Sequence, residues 1–125
     1  MHENDLSYKI IGIALKLHSN LGPGLLESLY ECAFAYDLAE AGLQVERQRV
    51  IPFVYKGIKL ESTFRADLIV NDKVLIEMKA VESLADIHYA QTLTYLRLAD
   101  KKLGLLMNFN EKHLRTGIHR IVNNL

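Results

Sequence analysis

The chain has 125 residues, half of them hydrophobic and about a quarter charged, a globular composition with room for a real core. Fifteen Lys plus Arg balance fifteen Asp plus Glu, so the net charge gives no sign of the strongly basic domain that nucleic-acid binders often are. The lone Cys32 excludes an internal disulfide, no apolar run approaches a membrane span, and the acidic, polar N-terminus MHENDLSYK is no secretory leader; one cytoplasmic domain over residues 1–125 is expected.

The neutral total hides an uneven distribution. Residues 1–46 carry two cations against seven anions, and residues 97–125 carry six against two. A basic surface and ordinary solvated charge are both compatible with that imbalance.

In chain order, Leu6, Ile10, Ile13, Ala14, Leu17 and Leu21 recur at helical spacing, so a first amphipathic helix is expected over 4–20, capped by Asn4 or Asp5. Gly22 is placed to end it, and Pro23 to stand near the first position of the next. A second helix is expected over 25–41, stopping at Gly42. In it Gly24, Glu27 and Tyr30 fall at three-residue intervals near one face. Gly24 would permit close approach of a backbone or ligand. Glu27 stands as an acid among Leu25, Leu26 and Leu29; the plain alternative is a helix-start glutamate favoured by the macrodipole. Cys32 is expected as a small buried residue.

Residues 44–55 turn β-like, and Lys56-Gly57 makes a turn into a return strand at 58–60. Pro52 argues for an edge or a bulge. Next comes FRADLIVNDKVLIEMKA, residues 64–80: two apolar strands around a polar turn, carrying Asp67, Glu77 and Lys79. Such strands are normally buried on both faces, where charges are costly unless they pair or hold a metal. Glu77 and Lys79, two apart, point to one face. A two-residue loop would pair Asp67 with Ile76. A three-residue loop, Asn71 to Lys73, sets Asp67 opposite Glu77, and Asn or Asp tolerates the left-handed position it needs. That register is the expected one.

A third helix is expected over 86–100, with His88, Gln91 and Tyr95 as a polar-aromatic stripe; a half-exposed face is its plain reading. Residues 103–109, LGLLMNF, read as a buried strand reached by a parallel crossover, and 115–122 as a final edge strand. The fold class is α/β of the α+β type: a central mixed sheet flanked by helices.

The three charges suit one chemistry. A hard cation such as Mg²⁺ takes one or two carboxylates plus waters and phosphate oxygens. Asp67 and Glu77 would supply the carboxylates, the Met78 carbonyl a further oxygen, and Lys79 would orient the attacking water or neutralise charge on phosphate. This is the equipment of metal-assisted phosphodiester hydrolysis. No thiolate or paired-histidine set suggests zinc, and no Gly-rich phosphate loop suggests an NTPase.

Asp67 followed by Glu77-x-Lys79 across a hairpin resembles the signature of the PD-(D/E)XK nuclease superfamily, and LGPGLLESLYE (residues 21–31) resembles the motif that names the GxxExxY family. FRADLIV, VLIEMKAVE, AQTLTYLRL and GLLMNF extend the likeness over nearly the whole chain. The residue before Asp67 is Ala66 rather than proline, a departure that leaves the chemistry untouched. The resemblance implies a restriction-endonuclease-like core with the metal site where the hairpin strands diverge. It implies Glu27 as an accessory acid at the metal, and it matches Gln91 and Tyr95 to a QxxxY element near site and substrate, with Tyr30 a further substrate-side candidate. The expected function is a Mg²⁺-dependent nuclease (Mn²⁺ substituting) acting on DNA, with RNA not excluded. Arg47, Arg49, Lys56, Lys59, Arg115 and Arg120 are candidate phosphate contacts. The small surface implies a homodimer or a partner subunit. Two alternatives stand beside it: a non-catalytic binding module on the same fold, and a structural cluster in which Lys79 merely neutralises the two acids.

Overall fold

A computed structural model describes residues 1–61 and 64–125. Two helices come first, α1 (Glu3–Leu21) and α2 (Glu27–Glu40). The strands β1 (Val45–Val50), β2 (Phe53–Tyr55), β3 (Ile58–Leu60), β4 (Arg65–Val70) and β5 (Val74–Lys79) follow. Then come α3 (Asp86–Ala99), β6 (Leu103–Asn108), a 3-10 turn (Leu114–Gly117) and β7 (Ile118–Val122).

Five strands form one mixed sheet in the order β1-β4-β5-β6-β7, while β2 and β3 make a separate hairpin. β1, β4 and β5 run antiparallel, β5 and β6 parallel, and β6 and β7 antiparallel. The parallel step needs a crossover, and α3 provides it. This is the mixed, helix-flanked sheet expected, and it is consistent with a restriction-endonuclease-like fold.

Period-two alternation in β4 and β5 sorts the side chains onto two faces. Leu68, Val70, Val74, Ile76 and Met78 pack with Leu103, Leu105 and Met107 under α1 and α2. Tyr30, Phe34, Leu6, Ile10 and Leu38 fill that layer with no exposed surface, each worth roughly 1.5–3 kcal/mol when fully buried. Ile69 and Leu75 pack with Tyr95 and Leu96 of α3 on the other side. Gly104 lets α3 come close: a Cβ there would meet Leu96 and Thr92 carbons at 3.2 Å.

Five local expectations are corrected. His2, not Asn4 or Asp5, caps α1, its Nδ1 accepting from the Asn4 N–H. α2 starts at Glu27, and Gly24, at φ +99°, belongs to the loop before it with open space around its α-carbon. Gly24 therefore serves the loop's backbone rather than a close approach. Cys32 is exposed, because the inward face of α2 is Tyr30, Glu31, Phe34, Ala35 and Leu38. The β-like run over 44–55 divides at Ile51-Pro52, with its second part leaving the main sheet. The last strand is only Ile118–Val122, since 114–117 coil into a 3-10 turn.

Candidate functional site

β4 and β5 are joined by the three residues Asn71 to Lys73, with Asn71 and Asp72 both at left-handed φ of 51° and 54°. Their ladder pairs Val70 with Val74, Ile69 with Leu75 and Leu68 with Ile76. The next step of that register sets Asp67 against Glu77. There the backbone ladder gives way to side chains. The Asp67 N–H donates to Glu77 Oε1 at 3.3 Å, and the Met78 N–H donates to Asp67 Oδ2 at 2.8 Å. β4 turns away while β5 stays paired with β6 as far as Lys79 and Asn108. The opening between the two strands is the candidate site.

The third charge is fixed from behind. The Phe109 N–H donates to the Lys79 carbonyl at 2.8 Å. Fully buried Asn108 accepts from the Val81 N–H and donates to the Val81 carbonyl. The chain just beyond Lys79 is thereby clipped to the end of β6. Met78 itself points into the core, 0% exposed.

Among the described residues neither acid in this opening is closed into an ion pair. Glu77 is 4% exposed, and burial first, then the Asp67 charge, push its carboxyl up to about 8, against the pull of the Asp67 N–H and Lys79. Asp67 is also raised by burial, opposed by its bonds from Met78 N–H and the Gln48 amide. Lys79 lies within electrostatic reach of Glu27, Asp67 and Glu77. Among the described residues it forms no ion pair with any of them within 4 Å. A cluster built only for neutralisation would close those pairs.

The first residue of α2 brings Glu27 to the same opening. Burial raises its carboxyl, followed by the Asp67 charge, with Lys79 opposing. A cleft of about 410 Å³ is lined by Leu26, Glu27, Ser28, Glu31, Gln48 and Asp67. From the α3 side, Gln91 Nε2 donates to the Tyr95 hydroxyl at 3.0 Å. That hydroxyl is raised by burial and then by the Glu77 and Asp67 charges, so it lies within electrostatic reach of the acids.

Other candidates lie elsewhere or have partners. Tyr30 is fully buried and stacked on Phe109 at 4.9 Å. Its hydroxyl donates to the Gly22 carbonyl at 2.5 Å and accepts from the Leu25 N–H, which fixes the loop entering α2. Arg47 bonds Glu31 at 3.1 Å, and Arg49 bonds Asp72 at 2.6 Å. Arg120 bonds the Asn4 side chain. Lys56 and Lys59 belong to the exposed β2–β3 hairpin, and Arg115 to the exposed side of the 3-10 turn.

Two residues of the cleft do not stand out in the sequence reading. Glu31 lies one helical turn after Glu27, a spacing that could have flagged it. Gln48 carries no such signal, because its place in the cleft comes from a backbone conformation and from tertiary neighbours.

The donors facing the opening are all oxygen, which fits a hard divalent cation. Both acids are raised by burial, and Glu77 further by the Asp67 charge; a bound cation would relieve that cost. Among the described residues no three His, Cys, Asp or Glu side chains are grouped to hold a metal ion, so Glu27 does not join Asp67 and Glu77 in a ready-made three-carboxylate set. No described helix is long and apolar enough to cross a membrane.

A family model described as the PD-(D/E)XK nuclease superfamily matches residues 4–121. Neither the curated proteins nor the solved structures compared with the chain gave a match.

Proposed function

Because the chain belongs to the PD-(D/E)XK nuclease superfamily, whose nucleases generally use divalent metals, we propose that it hydrolyses phosphodiester bonds in DNA with Mg²⁺, Mn²⁺ serving in its place. The observation that carries the reading is the open end of the β4–β5 hairpin. Asp67 and Glu77 face one another, both raised by burial, with Lys79 beside them and paired with neither.

In this reading Asp67, Glu77 and the Met78 carbonyl would hold the ion, and Glu27 would reach it directly or through water. When bound, the cation supplies Lewis-acid stabilisation of charge growing on the phosphate. Lys79 orients the attacking water through its ammonium N–H groups and offsets phosphate charge. The Gln91–Tyr95 pair, bonded at 3.0 Å, presents a preset polar edge to the substrate from α3. Arg47 keeps 47% of its side-chain surface exposed while bonded to Glu31, so it can meet a phosphate without leaving that partner; Arg49 is the weaker phosphate contact, since Asp72 holds it. We assign the chain to the GxxExxY branch on the LGPGLLESLYE motif, place it in the cytoplasm, and expect a homodimer or a partner subunit to complete the surface that holds a duplex.

The test is purified protein with Mg²⁺ or Mn²⁺ on single-stranded, duplex and branched DNA and on RNA. Wild type cuts at least one DNA, and Lys79→Ala and Asp67→Asn do not. Equal cutting by those variants, or tight binding by wild type without cutting, overturns the catalytic reading, the second result in favour of a binding module.

A further inference from the structure

β1 pairs regularly with β4 on either side of one position: Arg47 faces Leu68, and Arg49 faces Ala66. Between them, opposite Asp67, Gln48 sits at φ +51°. A long side chain rarely adopts that conformation, least of all inside a strand. Strained backbone of this kind persists where surrounding contacts over-determine it, and it gathers at functional sites.

Here the contacts are specific. Gln48 Nε2 donates to Glu31 Oε1 at 2.5 Å and to Asp67 Oδ1 at 3.2 Å. The amide orientation is dictated, because the flipped form would set its oxygen against two carboxylates. Glu31, 7% exposed, is held in turn at its other oxygen by Arg47 Nε and an Arg47 terminal nitrogen, at 3.3 and 3.1 Å. A chain of donors and acceptors therefore runs from Arg47 through Glu31 and Gln48 to Asp67. With the Met78 N–H on Oδ2, each oxygen of Asp67 has one fixed donor, so the carboxylate cannot rotate. Each oxygen keeps a lone pair for a ligand, and Asp67, Gln48 and Glu31 line the same cleft.

We propose that Gln48, anchored by Glu31, is a positioning residue that locks the Asp67 carboxylate in the orientation that receives the cation. The inference rests on the reading of Asp67 as a metal ligand. It adds a bridge from α2 through β1 to that ligand, and it explains why β1 carries strain at this one place. Groups that orient a metal ligand typically affect affinity by about 10–100-fold.

The experiment is calorimetric titration of Mn²⁺ into the purified full chain, with thermal midpoints of the metal-free proteins alongside. Gln48→Gly keeps the positive φ at no steric cost and removes the amide. Its midpoint stays at or above wild type while its Mn²⁺ affinity falls about 10–100-fold. Glu31→Ala, which removes the acceptor for the Gln48 amide, weakens Mn²⁺ binding as Gln48→Gly does. Wild-type affinity in Gln48→Gly, with none in Asp67→Asn, overturns the positioning role and leaves the proposed function standing. Wild-type affinity in Glu31→Ala overturns the anchor. No Mn²⁺ binding by wild type overturns the metal reading and this inference with it.

Discussion

The two ends of the β4–β5 hairpin treat charge in opposite ways. At the closed end Asp72 stands in solvent between Arg49 at 2.6 Å and Lys101 at 2.9 Å. Their hydrogen bonds lower its carboxyl to about 2. At the open end, one strand length away, Asp67 and Glu77 are drawn out of water, raised in pKa and given backbone N–H groups instead of cations. The closed end uses charge to hold the turn. The open end holds two buried acids on which, among the described residues, no cation of the chain closes, a pattern found at ligand sites.

Breaking the open end has the largest expected effect. Lys79→Ala lowers nuclease turnover by about 10²–10⁴-fold, the usual scale for a group that handles protons or orients water, and a gel assay on the cleaved substrate reads it. The same variant leaves the fold intact, since Lys79 has no ion pair within 4 Å among the described residues.

Glu77→Gln tests the cost of that end. Its folded-state pKa, about 8, lies above the ordinary value of 4.5, so the folded state favours the protonated acid. Stability of the metal-free protein is therefore highest below about pH 4.5 for this group, and declines as pH rises toward 8. Glu77→Gln removes that decline. In chelator at about pH 9 it stabilises the protein by an amount on the order of several kcal/mol, and at about pH 4 by almost nothing. Chemical denaturation at the two pH values measures both, and equal effects at both would contradict the picture of a costly buried acid.

The clip behind Lys79 comes next. Asn108→Ala deprives the Val81 N–H and carbonyl of their buried partner and costs about 1–3 kcal/mol in denaturant unfolding. Smallest is the closed end. Asp72→Asn lowers the thermal midpoint slightly at neutral pH and low salt. The difference fades in high salt, and it fades again as pH falls through about 2, because a depressed carboxylate contributes above its unfolded value of 3.8.

The open end is legible in the sequence because its rules are local. Strand alternation, a three-residue turn and the cost of buried charge together set Asp67 against Glu77, and the register agrees. The parallel step from β5 to β6 follows from an intervening helix in the same way. Tertiary features are not legible. Gln48 looks like any polar strand residue until its φ is known. Arg47 and Arg49 look like free cations until Glu31 and Asp72 are found beside them. Tyr30 falls at a suggestive spacing, yet its hydroxyl is taken up by the loop between Gly22 and Leu25. Cys32 and Gly24 depart from expectation because the start and inward face of α2 depend on packing against the sheet.

Anomalous diffraction from manganese-soaked crystals tests the central claim most directly. One strong peak is expected, bonded to carboxylate oxygens of both Asp67 and Glu77, with Lys79 alongside and not coordinating. Density that avoids this pair, or an ion held at Asp72 instead, would contradict the reading of the open end as a cation site.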